Sequence, residues 1–141
     1  MREQVRDPSD KRSNLLAILG WCIFDWGQSA FPTVIVTFVF GTYFVRSVAI
    51  TSVQGTALWG WTIGLSSVVV ASFSPLLGSI ADHTGYRKRW LLTFVICNVL
   101  ATSMLYFTHP KPSSVLWALI FLGIANTAYE FMQVFYNAML P

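Results

Sequence analysis

The chain has 141 residues, of which 55% are hydrophobic and only 11% are charged, and its formal net charge is +3. An average soluble domain is roughly a quarter charged, so this composition excludes an ordinary soluble protein of this size. The apolar residues come in long blocks rather than in stripes, which indicates segments that cross a lipid bilayer. The sequence therefore predicts an all-α integral membrane protein.

Four apolar blocks follow a polar, solvated N-terminal tail, residues 1–14. They predict transmembrane helices over residues 15–44, 57–81, 90–108 and 115–140. The first span is long enough to need a tilt or a bend, which Pro32 is expected to supply. A segment rich in proline and serine separates the last two spans, and one of its serines is expected to cap the fourth.

Small residues recur along one face of the second span, at Gly60, Gly64, Ser67, Ala71, Pro75 and Gly78. Small side chains allow two helices to approach closely within a membrane. The pattern therefore predicts that this face contacts another helix.

The basic residues are distributed unevenly between the two sides of the predicted spans. Seven of the nine lysines and arginines lie in the tail or in the turn between the second and third spans: Arg2, Arg6, Lys11, Arg12, Arg87, Lys88 and Arg89. Arg46 and Lys111 lie on the opposite side. The positive-inside rule then predicts that the N-terminus, this turn and the end of the fourth span are cytoplasmic. Because the rule accounts for the basic residues, no nucleic-acid partner is predicted.

The sequence contains no pattern typical of catalysis or metal binding. Cys22 and Cys97 each lie inside an apolar block and are interpreted as buried thiols, without a disulfide or metal site between them. His83 and His109 are isolated loop residues without a second ligand at metal spacing. We therefore predict no metal and no cofactor, and an enzyme is the least favoured class of protein.

Two carboxylates, Asp25 and Glu130, lie inside the predicted spans. Each is roughly 15 Å from the cytoplasmic end of its helix, at about 1.5 Å per residue. Charged side chains at such depth usually face a bundle interior or a water-filled cavity. Each carboxylate has polar companions at helical spacing, namely Gln28, Ser29 and Thr33 near Asp25, and Asn126, Gln133 and Asn137 near Glu130.

These polar residues predict an aqueous path in which a carboxylate binds a proton or the cationic group of a solute. The alternative is structural. Asp25 would then only bond to Gln28 or a tryptophan, and Glu130 would belong to a satisfied network between helices.

The charged turn between the second and third spans reads Gly78-Ser79-Ile80-Ala81-Asp82-His83-Thr84-Gly85-Tyr86-Arg87-Lys88-Arg89. Its Gly78, Asp82, Gly85, Arg87, Lys88 and Arg89 resemble the cytoplasmic loop signature of the major facilitator superfamily. His83 and Tyr86 stand where basic residues are common in that pattern. Residues 24–31, together with Tyr129-Glu130 and residues 134–141, resemble more narrowly the branch related to the autophagy-linked vacuolar amino-acid effluxers and their bacterial relatives.

The resemblance implies the N-terminal part of a twelve-helix major facilitator fold, with the remaining transporter helices missing from this chain. It implies secondary-active transport of a small solute, such as an amino acid, by alternating access and with protons or another coupling ion. The first and fourth helices would line the path, and Asp82 with Arg87, Lys88 and Arg89 would form a cytoplasmic gate. The membrane would be a bacterial inner membrane or, in a eukaryote, that of the vacuole.

Two other hypotheses stay open at the level of the sequence. The chain could be a complete four-helix exporter that dimerises, in which Asp25 carries out the exchange. It could also be a non-transporting membrane subunit that docks a partner through its second span.

Overall fold

A computed structural model describes the backbone of residues 8–84 and 86–138, and the side chains of residues 15, 18–80 and 86–138. Four helical segments in it are long and apolar enough to cross a membrane: Ile18–Val48, Ser52–Ile80, Arg87–Leu105 and Pro112–Asn137. The predicted all-α membrane fold with four spans is thereby confirmed. The chain forms two compact units, Met1–Phe40 and Gly41–Pro141.

The first unit contains helix α1, Pro8–Gln28, which begins earlier than the predicted span. Proline is favoured in the first turn of a helix, because the N–H that it lacks would have no intrahelical partner there. After α1 the chain continues as a π-helix, Phe31–Phe38, with Pro32 in its first turn. The Thr37 hydroxyl donates to the Pro32 carbonyl at 2.9 Å across this wider turn. The irregularity that the sequence predicts at Pro32 is therefore a change in helical hydrogen bonding.

A short helix, α2, spans Phe40–Tyr43 at the boundary of the units, and a second π-helix, Phe44–Val48, follows it. The second unit then contains the long helices α3, Ser52–Thr84, and α4, Arg87–Leu105. A single 3-10 turn, Pro112–Ser114, leads into α5, Val115–Asn137. Ser114 occupies the predicted N-cap position of α5, but its hydroxyl makes no capping hydrogen bond.

Helix α5 is the centre of the second unit, because it packs against both α3 and α4. Aromatic rings fill the α4–α5 interface near the start of α4. The Phe94 ring lies 5.2 Å from Phe131 and 5.6 Å from Phe135, measured between centroids. Further along, the Asn98 side-chain amide donates to the Ala125 carbonyl at 2.9 Å. Lipid tails are as apolar as the side chains, so the hydrophobic effect does not drive membrane helices together. Close packing and hydrogen bonds of this kind hold them together instead.

Helices α3 and α5 approach each other closely at Gly123 of α5. A Cβ atom at that position would lie 3.4 Å from Cγ2 of Thr62, and the Ser66 hydroxyl lies 3.3 Å from the Gly123 carbonyl oxygen. The predicted contact face of α3 behaves differently: at Gly60 and Gly64 an added Cβ would meet no atom within 4 Å in the described part of the chain. Of the predicted face, Ser67 does reach α5, where its hydroxyl donates to the Glu130 carboxylate at 3.0 Å, and the closest approach of the two helices is on the neighbouring face, at Thr62 and Ser66.

The connection before α3 is also tightly packed. Phe44 is fully buried, with its ring 5.4 Å from that of Trp59, and the Tyr43 hydroxyl donates to the Thr108 carbonyl at 3.0 Å. This last bond joins the start of the second unit to the α4–α5 loop. The two cysteines are free, and Cys22 is exposed, so the prediction that both thiols are buried was wrong for Cys22.

Candidate functional site

Glu130 lies in the second half of α5 and bonds to residues of two helices. Its Oε1 atom accepts a hydrogen bond from the Asn126 amide, one turn earlier on α5, at 2.9 Å. The same oxygen accepts a hydrogen bond from the Ser67 hydroxyl of α3 at 3.0 Å. The three side chains form a small polar cluster, called here the Glu130 cluster, in a segment that is otherwise mostly apolar.

The two oxygens of Glu130 have different surroundings. Oε1 receives both donors, whereas Oε2 accepts no hydrogen bond from any residue that the structure describes. Asn126 is only 5% exposed, so its amide needs a partner, and Glu130 supplies one. Hydrogen bonds to an ionised acceptor are stronger than bonds between neutral groups, so the cluster orients the carboxylate. The structural network therefore accounts for one oxygen of Glu130, and the other accepts no hydrogen bond within the described part of the chain.

The other two polar residues that the sequence predicts on this face of α5 stand apart from the cluster. Gln133 is half-buried, and its Oε1 atom is buried without a hydrogen-bond partner among the described residues. Asn137 is exposed at the end of α5. Both share the face of Glu130 by their spacing of three and seven residues, but neither bonds to it within the described part of the chain.

Asp25 belongs to the first unit and bonds within its own helix. Its Oδ1 atom accepts a hydrogen bond from the Gln28 amide at 3.0 Å, and its carbonyl accepts one from the Ser29 hydroxyl at 2.9 Å. The carboxylate is exposed, whereas Oε1 of Gln28 is buried without a partner among the described residues. The structural alternative for Asp25 thus accounts for these contacts, and a role in transport remains a prediction.

The basic turn is described in part. Arg87 donates to the carbonyl of Ala138 at 3.0 Å, so it satisfies a carbonyl just past the end of α5, where a positive charge is favourable. The Arg89 guanidinium lies 4.5 Å above the ring of Tyr86, and Lys88 is exposed. Gly85 and the side chain of Asp82 lie outside the described residues, and Gly78 is half-buried. The predicted gate therefore stays a prediction.

Sequence reasoning missed Ser67 as a member of the site. It assigned Ser67 to the row of small residues, although a hydroxyl in an apolar helix was itself a signal. The contact depends on how α3 is rotated against α5, and the spacing of residues along either helix does not determine that rotation.

Comparison with known proteins gives the family. The family model described as "Vacuole effluxer Atg22 like" matches residues 43–141, which include the Glu130 cluster and the basic turn. No solved structure matches the chain at a significant level.

Three curated relatives are similar to parts of the chain. The uncharacterized MFS-type transporter YxiO of Bacillus subtilis is 33% identical over 85% of this chain and 28% of its own length. Autophagy-related protein 22 of Coccidioides immitis is 32% identical over 57% of this chain and 13% of its own length. The lysosomal dipeptide transporter MFSD1 of Danio rerio is 28% identical over 67% of this chain and 24% of its own length.

The chain thus spans 28% or less of the length of each of these relatives. The match to the family model agrees with the resemblance of the basic turn and the Tyr129-Glu130 segment. The chain belongs to the family of Atg22-like vacuole effluxers.

Proposed function

We propose that the chain supplies the first four membrane spans of a secondary-active transporter, which moves a small solute by alternating access. Membership of the effluxer family and relatives named as transporters support this proposal. The observation that carries it is the Glu130 cluster: an ionisable side chain in an apolar span, with two hydrogen bonds to one carboxylate oxygen and none to the other from the described residues. Ionisable residues inside membrane spans are expensive, and they commonly mark substrate or ion pathways.

The solute that fits this site carries a cationic group, such as the ammonium of an amino acid or short peptide. The Oε2 atom of Glu130, which accepts no hydrogen bond from the described residues, would bind either that ammonium or a coupling proton. Asp25 with Gln28, and Gln133 with Asn137, are proposed to line the same path. The relative named as a dipeptide transporter supports a solute with an amino group.

The proposed orientation has the N-terminus and the basic turn in the cytoplasm. In that arrangement Asp82 with Arg87, Lys88 and Arg89 would control the cytoplasmic gate. A bacterial inner membrane is the proposed location, or the vacuolar membrane in a eukaryote.

The test uses the protein expressed from its complete gene and reconstituted into lipid vesicles. Uptake of labelled amino acids and dipeptides is measured in two ways: accumulation driven by a pH gradient, and exchange of external for internal solute without a gradient. If Glu130 carries the coupling proton, Glu130→Gln abolishes accumulation and retains exchange. If Glu130 binds the ammonium, Glu130→Gln abolishes both. Unchanged accumulation and exchange would remove Glu130 from the mechanism.

A pair of serines on α3 supplies a matched control. Ser67→Ala removes a donor to Glu130 and should weaken solute binding or coupling by about 0.6–1.7 kcal/mol, the range for hydrogen bonds between membrane helices. Ser72→Ala removes a hydroxyl whose one partner among the described residues is the Val68 carbonyl of its own helix, so it should leave transport unchanged. Equal effects of the two substitutions would contradict a role for the cluster.

A transport assay of residues 1–141 alone, reconstituted in the same way, distinguishes the first part of a larger transporter from a complete four-helix exporter. We expect no transport by this segment, since alternating access needs a second half of the transporter. Robust transport by the segment would favour the dimerising four-helix exporter instead.

A further inference from the structure

The hydroxyl of Ser67 bonds differently from the other hydroxyls of α3. Five of these donate to the backbone carbonyl four residues earlier on the same helix: Thr56, Thr62, Ser66, Ser72 and Ser74. Such a bond is the local alternative that a helix offers to any serine or threonine. Ser67 instead donates to Oε1 of Glu130 on α5, its one hydrogen-bond partner among the described residues. Its hydroxyl therefore has two acceptors to choose from, Glu130 and the carbonyl of Ile63.

The strength of the Ser67–Glu130 hydrogen bond depends on the charge of Glu130. Hydrogen bonds to an ionised acceptor are roughly twice as strong as those between neutral groups. A proton on Oε2 leaves Oε1 as a neutral carbonyl oxygen, which is an acceptor of the same kind as the carbonyl of Ile63. Ionised Glu130 therefore outcompetes that carbonyl for the Ser67 hydroxyl, and neutral Glu130 does not.

Asn126, the other donor to Oε1, does not have this choice. It is only 5% exposed, so the loss of its acceptor would leave a buried amide unsatisfied. Ser67 is exposed and has a second acceptor on its own helix. Neutralisation of Glu130 should therefore release Ser67 and leave Asn126 bonded. Since Asn126 and Glu130 are both on α5, the bond that is lost is the one that joins α5 to α3.

The adjacent contact between the two helices does not depend on charge. The Ser66 hydroxyl donates to the carbonyl of Thr62 on its own helix at 2.8 Å and also lies 3.3 Å from the carbonyl oxygen of Gly123 on α5. Both acceptors are neutral. Helix α3 thus has one contact with α5 that responds to the charge of Glu130 and, at the next residue, one that does not.

No other ionisable side chain takes part in the Ser67–Glu130 bond. Residues 52–80 of α3 contain none. The other ionisable residues of α4 and α5 make no bond to Glu130 within the described part of the chain: Arg87, Lys88, Arg89, Cys97, Tyr129 and Tyr136.

We infer that the Ser67–Glu130 hydrogen bond is a charge-controlled link between α3 and α5, which forms while Glu130 is ionised and is released when Glu130 is neutralised. Its role in transport rests on the proposed function: binding of a coupling proton to Glu130 would loosen α3 from α5 beside the site. The link itself can be measured without a transported solute.

The test is a double-mutant cycle on the protein expressed from its complete gene. Unfolding is followed by titration with sodium dodecyl sulfate in mixed micelles at about pH 9, which favours the ionised carboxylate. Ser67→Ala is combined with Glu130 and with Glu130→Gln, which is neutral and of similar shape. With Glu130, Ser67→Ala should raise the unfolding equilibrium constant about sevenfold, which corresponds to twice the average free energy of a hydrogen bond between membrane helices. With Glu130→Gln, the rise should be about threefold or less.

Ser66→Ala is the matched control, because Ser66 approaches α5 at a backbone carbonyl and not at a carboxylate. It should change the unfolding equilibrium constant by the same factor in both backgrounds. The difference in helix propensity between serine and alanine is also the same in both backgrounds, so it cancels from the comparison.

Two results would overturn the inference. Equal effects of Ser67→Ala in the two backgrounds would mean that the bond does not respond to the charge of Glu130. An equally large dependence of Ser66→Ala on the background would mean that Glu130→Gln loosens the whole interface between α3 and α5. Neither result bears on whether the protein transports a solute, which the uptake assay decides separately.

Discussion

Gly55 is predicted to be a position where even a methyl group is not tolerated. It lies in α3, near the start of the helix, and is buried. A Cβ atom at Gly55 would lie 2.7 Å from Cβ of Ala49 and 3.2 Å from Cα of Val45. The second of these atoms belongs to the backbone, so it cannot rotate away. Gly55→Ala must therefore push α3 away from the segment that precedes it.

The expected cost follows from two opposing effects. Overpacking of a well-packed site costs about 1–3 kcal/mol, and the 2.7 Å separation puts Gly55→Ala in the upper part of that range. Replacing glycine with alanine inside a helix stabilises the helix by about 1 kcal/mol, because alanine has the higher helix propensity. The net loss in the free energy of unfolding should be about 2 kcal/mol.

The assay is a titration with sodium dodecyl sulfate in mixed micelles, followed by far-ultraviolet circular dichroism. Gly60→Ala is the matched control on the same helix, because an added Cβ there would meet nothing within 4 Å in the described part of the chain. It should be neutral, or stabilising by up to about 1 kcal/mol. If Gly55→Ala unfolds at the same detergent fraction as Gly60→Ala, the close approach at Gly55 does not exist and the reasoning is refuted.

Two further substitutions can be measured by the same titration. Thr51 accepts a hydrogen bond on its hydroxyl from the Gln54 backbone N–H at 3.2 Å and so caps α3, and Thr51→Ala should cost about 1 kcal/mol. Thr56→Ala removes a hydroxyl that, within the described part of the chain, bonds to the Ser52 carbonyl of its own helix. It should cost less than Thr51→Ala, and equal losses would contradict the cap. Asn98→Leu removes the bond to the Ala125 carbonyl and should cost about 0.6–1.7 kcal/mol, and an unchanged free energy would contradict a contribution from that bond.

Some features of the site could be predicted because they depend on one helix alone. Asn126 and Glu130 are four residues apart, and helical geometry brings such side chains together whatever surrounds the helix. The same holds for Asp25 and Gln28, whose bond at 3.0 Å lies within one turn. These pairs are local, so the sequence pattern was sufficient to predict them.

Features that depend on the rotation of one helix against another could not be predicted in the same way. The row of small residues predicted a contact face that includes Gly60, Gly64 and Ser67. Helix α3 meets α5 at Ser67 and, on the neighbouring face, at Ser66 opposite Gly123, whereas an added Cβ at Gly60 or Gly64 would meet no atom within 4 Å in the described part of the chain. Ser67 was missed as a partner of Glu130 for the same reason.

The sequence by itself determined that the chain is helical and spans a membrane, because long apolar blocks must satisfy their backbone hydrogen bonds internally in lipid. Its family was indicated by particular motifs, the basic turn and the Tyr129-Glu130 segment, and not by the apolar blocks. Only the tertiary structure decided which faces of α3, α4 and α5 meet, and therefore which oxygen of Glu130 is held. The physical reason is that lipid and a neighbouring helix are equally apolar environments. Each membrane helix is consequently apolar on all of its sides. The pattern of apolar residues therefore does not distinguish the face that contacts another helix from the face that contacts lipid.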